Sequence, residues 1–528
     1  MNLYNKIDKA LVGLYATDAK FLEELKEIKV YYEFYEGRPE ALEDDLQDDR
    51  GQLWKVKDRD YKPTREIRNL TKKLLKKQAR FMTSVNPSII IKPVDGSVTP
   101  EQANDKRIML EQILDQGKFW NKFSKAFMDC TIGKRVLLTL QNEVDEQGLP
   151  VPDAPLRFRF YTMPEFMYEY DPNDVDKLIK VSIAYIDEST AGMLQDQQRW
   201  HKWIYEMRGE ECWCTYMVVD GTGTLAYAVI PDAYNANNIV EEQIDEANTE
   251  EVPIKQEWNT GLDRIPCKVI FNDGLTGDIR GHSDVKDLMD MQTDYNKTVS
   301  DFRDSLRFNM FPQRAFIDAD SESVVGAVVA PGAMLDIKTD PALGDGTGTT
   351  KQAQVQVLES SLAFQQAAET YLERLKKDMY ELMEQPLPEN LVNVASGKAL
   401  RMLYDDLITR CEEKWKAWDE AIFWLFDLIR DVVELGNLYT DNPLRNNFLL
   451  ECSVDLDHNY PIPDDELETK TLAIKEVEAN VRSHQSYIRD FGTAEEADKE
   501  FSEILDEMDQ INTSENAGLM TGGVNNLQ

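Results

Sequence analysis

The sequence lacks any uncharged apolar run long enough to cross a membrane. Its most apolar segment, AIFWLF at 421–426, ends at Asp427, whereas a transmembrane helix needs about 20 predominantly apolar residues. The N-terminus, MNLYNKIDKALVGLY, has no continuous apolar core of the kind that signal peptides contain. We therefore expect a protein of cytosolic origin with no membrane-spanning segment.

Positive charge is also scarce. The 528 residues include 59 Lys and Arg against 97 Asp and Glu, which gives a formal net charge of −38. Proteins that wrap tightly around nucleic acid rely on Lys and Arg at the phosphates, so this balance argues against such a grip. It still allows DNA to pass nearby without being held.

Residues that bind metals or nucleotides are few and poorly spaced. Cys212 and Cys214 are the only close pair among six cysteines, and the four histidines form no H-x-x-x-H or H-E-x-x-H pair. The glycine-rich stretch GDGTGTT at 344–350 lacks the Lys-Ser/Thr order of a P-loop and is interpreted as a turn. We expect reduced cysteines scattered through the core, no metal and no cofactor.

The first 95 residues are predicted to be helical, and segment 62–80 to be one amphipathic helix with a basic outer face. Its apolar residues Ile67, Leu70, Leu74 and Phe81 recur at helical spacing among eight Lys and Arg. Such a face contacts nucleic acid or an acidic partner, or else it is solvated and paired with acidic neighbours. The sequence leaves both alternatives open.

From about 135 to 275 the pattern changes to short β-rich runs separated by turn signals. The runs are RVLLTL, LRFRFYTM, LIKVSIAYI, WCTYMVV, LAYAVI and CKVIFN. The acidic segment 241–251 is expected to be a solvated loop.

Helices are predicted again in the second half, over 283–307, 353–384 and 397–435, with a compact β-region at 314–338 and a strand at 451–456. The last of these helices would extend about 58 Å if straight. Asp284, Asp287, Asp290 and Asp294 fall on one helix face, which we interpret as a solvated or intersubunit surface rather than a metal site. The fold class is α+β and predominantly helical.

Several stretches resemble the portal protein of tailed double-stranded DNA bacteriophages of the long-tailed type. They are YYEFYEGRP at 31–39, NLTKKLLKKQARFMTSVNPSI at 69–89, GHSDVKDLMDMQTDYNKTVSDFRDSL at 281–306, SGKAL at 396–400 and YPIPDDELE at 460–468. Their order matches the family's layout over most of the chain.

The resemblance implies a ring, normally of twelve copies, at one capsid vertex of the virion, assembled in the host bacterial cytoplasm. Its parts would be a wing at 1–282, a first stem helix at 283–307, a clip at 308–352, a second stem helix at 353–384 and a channel loop at 385–396. A long wing helix and return strand at 397–463, an acidic helical crown at 464–515 and a disordered tail at 516–528 would follow.

The implied partners are double-stranded DNA passing through without sequence specificity, the terminase large subunit, a head-to-tail adaptor, the major capsid protein and a scaffolding protein. The channel-loop residues that would face DNA are Glu389, Asn390, Leu391, Val392, Asn393 and Val394. Residues that would touch either DNA or a neighbouring subunit are Lys398, Arg401, Arg303, Arg307, Arg374 and Lys377. Clip residues that would dock the terminase or adaptor are Arg314, Phe316, Asp318, Met334 and Asp336.

Two other classes of protein compete with this interpretation. A metal- or nucleotide-dependent DNA-processing enzyme would use the acidic helix faces, but the sequence contains no Walker motif or metal-ligand spacing to support it. A monomeric helical scaffold or adaptor would contain the same helices without forming a ring. In such a monomer, segment 385–396 would be an ordinary connection between helices.

Overall fold

The computed structural model describes most of the chain, in fourteen separate stretches. These are residues 19–37, 64–94, 98–141, 155–231, 249–274, 278–310, 313–325, 337–339, 353–358, 365–391, 397–462, 466–479, 481–491 and 499–506. The chain divides into two compact units. The first unit comprises Met1–Gln385 and Asp406–Tyr460, and the second comprises Pro386–Asp405 and Pro461–Gln528.

Four helices and one strand open the described part of the first unit. They are α1 (Ala19–Glu36), α2 (Leu70–Thr83), β1 (Ser88–Pro93), α3 (Pro100–Gln116) and α4 (Phe119–Gly133). The prediction of helix throughout 1–95 is therefore wrong at 88–93, where three consecutive β-branched isoleucines favour a strand. This strand pairs antiparallel with β14 (Cys452–Asp457), close to the strand predicted at 451–456.

Helix α2 is shorter than the predicted helix at 62–80. It begins at Leu70, because the side chain of Asn69 accepts a hydrogen bond from Lys72 N at 2.8 Å and caps the first turn. Residues 64–69 have no regular secondary structure. The prediction of helix there is wrong, and the reason lies in contacts with a later helix, described below.

Each of the six predicted β-runs between 135 and 275 contains a strand of the structure. The strands of this region are β2 (Arg135–Gln141), β3 (Arg157–Thr162), β4 (Phe166–Asp171), β5 (Asp174–Ile186), β6 (Trp200–Arg208), β7 (Glu211–Val219), β8 (Tyr227–Pro231), β9 (Thr249–Pro253), β10 (Lys255–Asn259) and β11 (Cys267–Phe271). Strand β9 occupies 249–253, so the predicted acidic loop is wrong at its C-terminal end. Residues 241–248 lie outside the described residues.

Two antiparallel sheets of this region share one core. The five-stranded sheet has the order β10-β7-β6-β5-β4, and the three-stranded sheet has the order β11-β2-β3. Tyr205 and Cys214 of the larger sheet join Leu137 and Cys267 of the smaller in one buried cluster. All six cysteines are free and five of them are buried. Three of these five gather in this one cluster rather than being scattered.

The second half of the first unit contains two long helices separated by short elements. They are α5 (Asp284–Met310), β12 (Gln313–Ile317), α6 (Ser321–Val325), β13 (Gln354–Leu358) and α7 (Gln365–Leu382). The prediction of a helix from 353 is wrong, because QVQVL at 354–358 is a strand that pairs antiparallel with β12. The predicted β-region at 314–338 is also wrong at 321–325, which is a helical turn. Segment 344–350 lies outside the described residues.

The predicted long helix at 397–435 is interrupted. Helix α8 (Gly397–Leu403) and helix α9 (Asp405–Leu435) meet at Tyr404, which forms a turn. The apolar stripe of α9 is buried as expected: Trp415 and Trp418 are each 2% exposed. Phe123 of α4 contacts both indole rings, so α9 runs through the core of the first unit. The short helix α10 (Arg445–Phe448) follows, before β14.

The second unit is helical where it is described. Besides α8 it contains α11 (Glu466–Glu478), α12 (His484–Phe491) and a helical stretch at 499–506. This agrees with the acidic helical C-terminal region that the sequence predicts at 464–509. None of the described helices is both long enough and apolar enough to cross a membrane.

Candidate channel and docking surfaces

Helices α5 and α7 pack against each other. They correspond to the two helices that the resemblance to portal proteins implies for a stem. Tyr295 and Val299 of α5 share a buried cluster with Leu375 of α7, and Met291 and Leu372 pack around it. This apolar side of α5 is therefore the face that meets α7.

Segment 64–70 lies along α5, and hydrogen bonds from its backbone N–H groups hold it there. Alternate N–H groups of the segment each donate to a different side chain of α5, and these side chains are four residues apart. The hydrogen bonds are Thr64 N to Asp304 Oδ2 at 3.0 Å, Glu66 N to Ser300 Oγ at 3.0 Å, Arg68 N to Asn296 Oδ1 at 3.0 Å and Leu70 N to Gln292 Oε1 at 2.8 Å. We call Gln292, Asn296, Ser300 and Asp304 the α5 ladder.

Two matching repeats make the α5 ladder possible. Four residues of a helix rise about 6 Å, and two residues of an extended strand rise about 6.6 Å. The ladder side chains are all buried, with at most 8% of each exposed. Segment 64–69 is not helical because its alternate N–H groups donate to side chains of α5, whereas a helix would pair such groups with its own carbonyl oxygens. The sequence signal of the α5 ladder is its polar residues at strict four-residue spacing, which could have predicted it.

Lys414 of α9 is the centre of a buried charge cluster at the N-terminus of α5. Its Nζ lies 3.1 Å from Asp284 Oδ1, 3.0 Å from Asp273 Oδ2 and 2.7 Å from Asn272 Oδ1. The Arg410 guanidinium lies 3.5 Å from the second oxygen of Asp284. Only 4% of Lys414 and 1% of Asp284 are exposed.

The two buried charges hold each other ionised. Burial alone would raise the pKa of Asp284, but the charges of Lys414 and Arg410 outweigh it and keep that pKa below its usual value. Burial would lower the pKa of Lys414, but Asp284 and Asp273 outweigh it and keep that pKa above its usual value. The cluster therefore ties α5, α9 and the turn after β11 together by paired charges.

The four aspartates predicted to share one face of α5 divide into two sets. Asp284 is buried in the cluster around Lys414, whereas Asp287, Asp290 and Asp294 are exposed. Asp287 Oδ1 lies 2.8 Å from His282 Nε2. Among the described residues no group of three or more His, Cys, Asp or Glu is arranged to hold a metal ion.

His458, just after β14, lies flat on Trp415 between two carboxylates. The ring centroids are 4.4 Å apart with planes inclined by 11°. Its Nδ1 lies 3.1 Å from Glu412 Oε2, and its Nε2 lies 3.0 Å from Asp419 Oδ1. Burial alone would lower the pKa of His458, but Asp419 and Glu412 outweigh it and raise that pKa. Both ring nitrogens donate only when the imidazole is protonated, so this site favours the charged ring.

The candidate channel loop begins after a firmly anchored helix end. Glu384 adopts a left-handed backbone with φ of 52°, and the buried Gln385 donates its side-chain N–H to Leu74 O at 2.8 Å. Glu389, Asn390 and Leu391 lie in a single 3₁₀ turn, Pro388–Leu391, and Glu389 and Asn390 are exposed. Val392, Asn393 and Val394 lie outside the described residues.

Three of the basic residues expected to touch DNA or a neighbouring subunit pair with carboxylates of their own chain. The pairs are Arg303 with Glu66 at 3.2 Å, Arg374 with Asp378 at 3.8 Å and Lys377 with Glu381 at 3.5 Å. All three basic side chains are exposed, and such pairs are weak and readily exchanged. Arg307, Lys398 and Arg401 are also exposed.

The clip residues expected to dock partners are only partly described. Arg314 and Phe316 lie two residues apart on β12, and Asp318 follows the strand with a positive φ of 56°. The ring of Phe316 is half-buried. Beyond the end of β12, Ala319 forms an isolated antiparallel bridge with Thr339. Met334 and Asp336 lie outside the described residues.

Comparison with models of known protein families identifies one family. A family model described as phage portal protein, SPP1 Gp6-like, matches residues 16–514, which is nearly the whole chain. No curated protein matches the sequence. The match includes the β-rich region at 135–275, to which the motif resemblance contributed little.

Proposed function

This chain belongs to the phage portal protein family, SPP1 Gp6-like, and we propose that twelve copies of it form a closed ring at one capsid vertex. Its role is that of a portal, the head-to-tail connector used in DNA packaging, and the family is a structural one. The family match over nearly the whole chain is the observation that supports the portal role. The alternative hypothesis of a DNA-processing enzyme finds no support in that match.

In the proposed ring, α5 and α7 form the stem, the β12–β13 pair forms the clip, and residues 1–282 form the wing. The long helix and return strand at 397–463 complete the wing, and 464–515 form the crown. The apolar contact between α5 and α7 supports the stem assignment, because it leaves charged residues on the outer faces for neighbouring copies. Terminase and adaptor would dock on Arg314, Phe316, Asp318, Met334 and Asp336.

DNA would slide through the axis of this ring rather than bind to its wall. Each copy contributes a net charge of −38, so binding would release few counterions and the duplex would meet a like-charged wall. Residues 389–394 carry one charge, at Glu389, and would form the narrowest collar. Lys398 and Arg401 would lie just behind that collar.

The experiment is a packaging assay on phage that carry the substitutions Val392→Asp and Val394→Asp. If these residues form the collar, rings will assemble normally but DNA packaging or retention will fall, because added negative charge repels phosphate. The conservative variant, Val392→Thr with Val394→Thr, should package normally. Normal packaging by the aspartate variant would show that the loop is not the constriction.

A further inference from the structure

Helix α2 presents three exposed cations on one face. Lys73, Lys76 and Arg80 are exposed, whereas Leu74 and Gln78 on the other side of the helix are buried against the core. Gln78 Nε2 donates to Asp284 of α5 at 3.3 Å, so α2 meets α5 through this buried side. We call Lys73, Lys76 and Arg80 the α2 cationic stripe.

The α2 cationic stripe has no counter-charge among the residues that the structure describes. No carboxylate lies within 4.0 Å of its three side chains there, whereas the neighbouring Lys72 pairs with Glu36 at 2.9 Å. Lys73 Nζ lies 6.0 Å from the centroid of the Tyr380 ring, a contact that supplies no counter-charge. In a chain with 97 acidic residues, three exposed cations without a paired carboxylate among the described residues form a surface that is available to an acidic partner.

A matching anionic surface lies on α5. Asp287, Asp290 and Asp294 are exposed, and we call them the α5 anionic stripe. Its members are spaced by three and then four residues, the same spacing as Lys73, Lys76 and Arg80. From its first to its last member each stripe therefore advances seven positions, or about 10 Å along the helix. Two such helices lying side by side can pair all three charges in one register.

We propose that the α2 cationic stripe of one copy binds the α5 anionic stripe of the next copy around the ring. The inference rests on the proposed function, because it requires a ring. A closed ring uses heterologous contacts, in which two different surfaces of the subunit meet. The two stripes are different surfaces of the same unit with opposite charge, as such a contact requires.

The partner favoured here is a second copy rather than DNA. Every copy carries the complementary stripe with the same residue spacing, whereas a duplex approaching this strongly acidic chain meets repulsion over most of the surface. Exposed ion pairs add little affinity individually. They set orientation and the rate of association instead, so the stripes would define the register between neighbours while apolar contacts hold the ring together.

The test is a reversal of charge on each stripe, alone and together. The first variant is Lys73→Glu with Lys76→Glu and Arg80→Glu, and the second is Asp287→Lys with Asp290→Lys and Asp294→Lys. Ring formation is followed by native mass spectrometry over a range of protein and salt concentrations. Each variant alone should raise the concentration needed for half-assembly by about tenfold or more, and the combined variant should recover assembly.

A matched control separates this contact from net charge. Lys125→Glu with Lys177→Glu and Lys255→Glu reverses three exposed lysines elsewhere and should leave assembly unchanged. Equal loss in this control, unchanged assembly in either reversed variant, or no recovery in the combined variant would overturn the inference. So would a first variant that assembles normally but loses binding of duplex DNA at low salt.

Failure of the inference can be told apart from failure of the proposed function. If wild-type protein forms rings and the reversed variants form them equally well, only the contact between the stripes is wrong. If wild-type protein forms no rings at any concentration, the ring itself is wrong and the inference falls with it. Circular dichroism of each variant establishes that the subunit remains folded.

Discussion

At the scale of single residues, the buried ion pair between Lys414 and Asp284 joins the long core helix α9 to the first turn of α5. A buried pair adds modest stability compared with apolar packing, but removal of one partner leaves the other charge without compensation. The pair therefore fixes how α5 leaves the core, which is the geometry that a ring would have to repeat in every copy.

Replacing Lys414 by Met should lower the free energy of unfolding by about 3–5 kcal/mol, because the buried Asp284 would lose its closest cation and keep Arg410 at 3.5 Å as its cationic partner. Urea unfolding measures the change. Lys416→Met, at the exposed neighbouring lysine, is the control and should cost little. A loss for Lys414→Met no larger than the loss for the control would contradict the account of this cluster.

His458 should make stability depend on pH in a defined direction. Its pKa is raised in the folded protein, so its contribution is fully present below the ordinary histidine value of about 6.5 and fades as the pH rises through the folded value. The thermal midpoint of wild type should exceed that of His458→Gln most at pH 5.5, and the difference should shrink by pH 9. A difference that grows with pH would contradict the assignment.

At the scale of elements, the side chains of the α5 ladder bind the backbone of segment 64–70 along one face of α5. Four amides of segment 64–70 depend on side chains from a helix more than 200 residues away in sequence. These hydrogen bonds fix α5 and the N-terminal end of α2 to each other, in addition to any apolar packing.

Replacing Asn296 by Leu should expose this dependence. The N–H of Arg68 would lose its acceptor in a part-buried position, at a cost of about 1–3 kcal/mol. Hydrogen exchange of the amides at 64–70 should quicken markedly, while the same amides in Thr293→Leu, a partly exposed position on α5, should exchange as in wild type. Unchanged exchange in the Asn296 variant would mean that the ladder does not hold the segment.

Periodicity in the sequence predicts the long amphipathic elements well. The stripe through Trp415 and Trp418 predicts the buried face of α9, and alternation predicts strands in the β-rich region. Periodicity wrongly predicts a helix at 64–69, because the conformation of this segment depends on partners on α5 that local spacing does not reveal. Strand β13 shows a different failure: QVQVL has the period of a strand, but it directly precedes a strong helical pattern.

The candidate contact residues stay predictions, and the structure adds local partners for some of them that the sequence does not reveal. Charge and position mark Arg303, Arg374 and Lys377 as contact residues, yet their local pairing with Glu66, Asp378 and Glu381 is visible only in the structure. The buried cluster around Lys414 is also invisible to sequence reasoning, because the carboxylates that face Lys414 come from distant positions in the chain. A surface lysine and a buried one look alike in a sequence.

At the scale of the whole molecule, the net charge of −38 has two consequences. In the proposed ring it would keep the channel wall from holding DNA, and it would make neighbouring copies repel each other unless complementary surfaces meet. Ring assembly should therefore respond to ionic strength, because salt screens both the general repulsion and the specific pairing of exposed charges. Closure of the ring requires that specific contacts exceed the repulsion.

The most direct measurement of the central claim is electron microscopy of the purified protein viewed along the particle axis, together with its native mass. The account predicts closed rings with a central hole and a mass that is a multiple of 60.8 kDa, twelvefold for the virion form. A stable species of one subunit mass at every concentration tried, with no rings in the images, would contradict it.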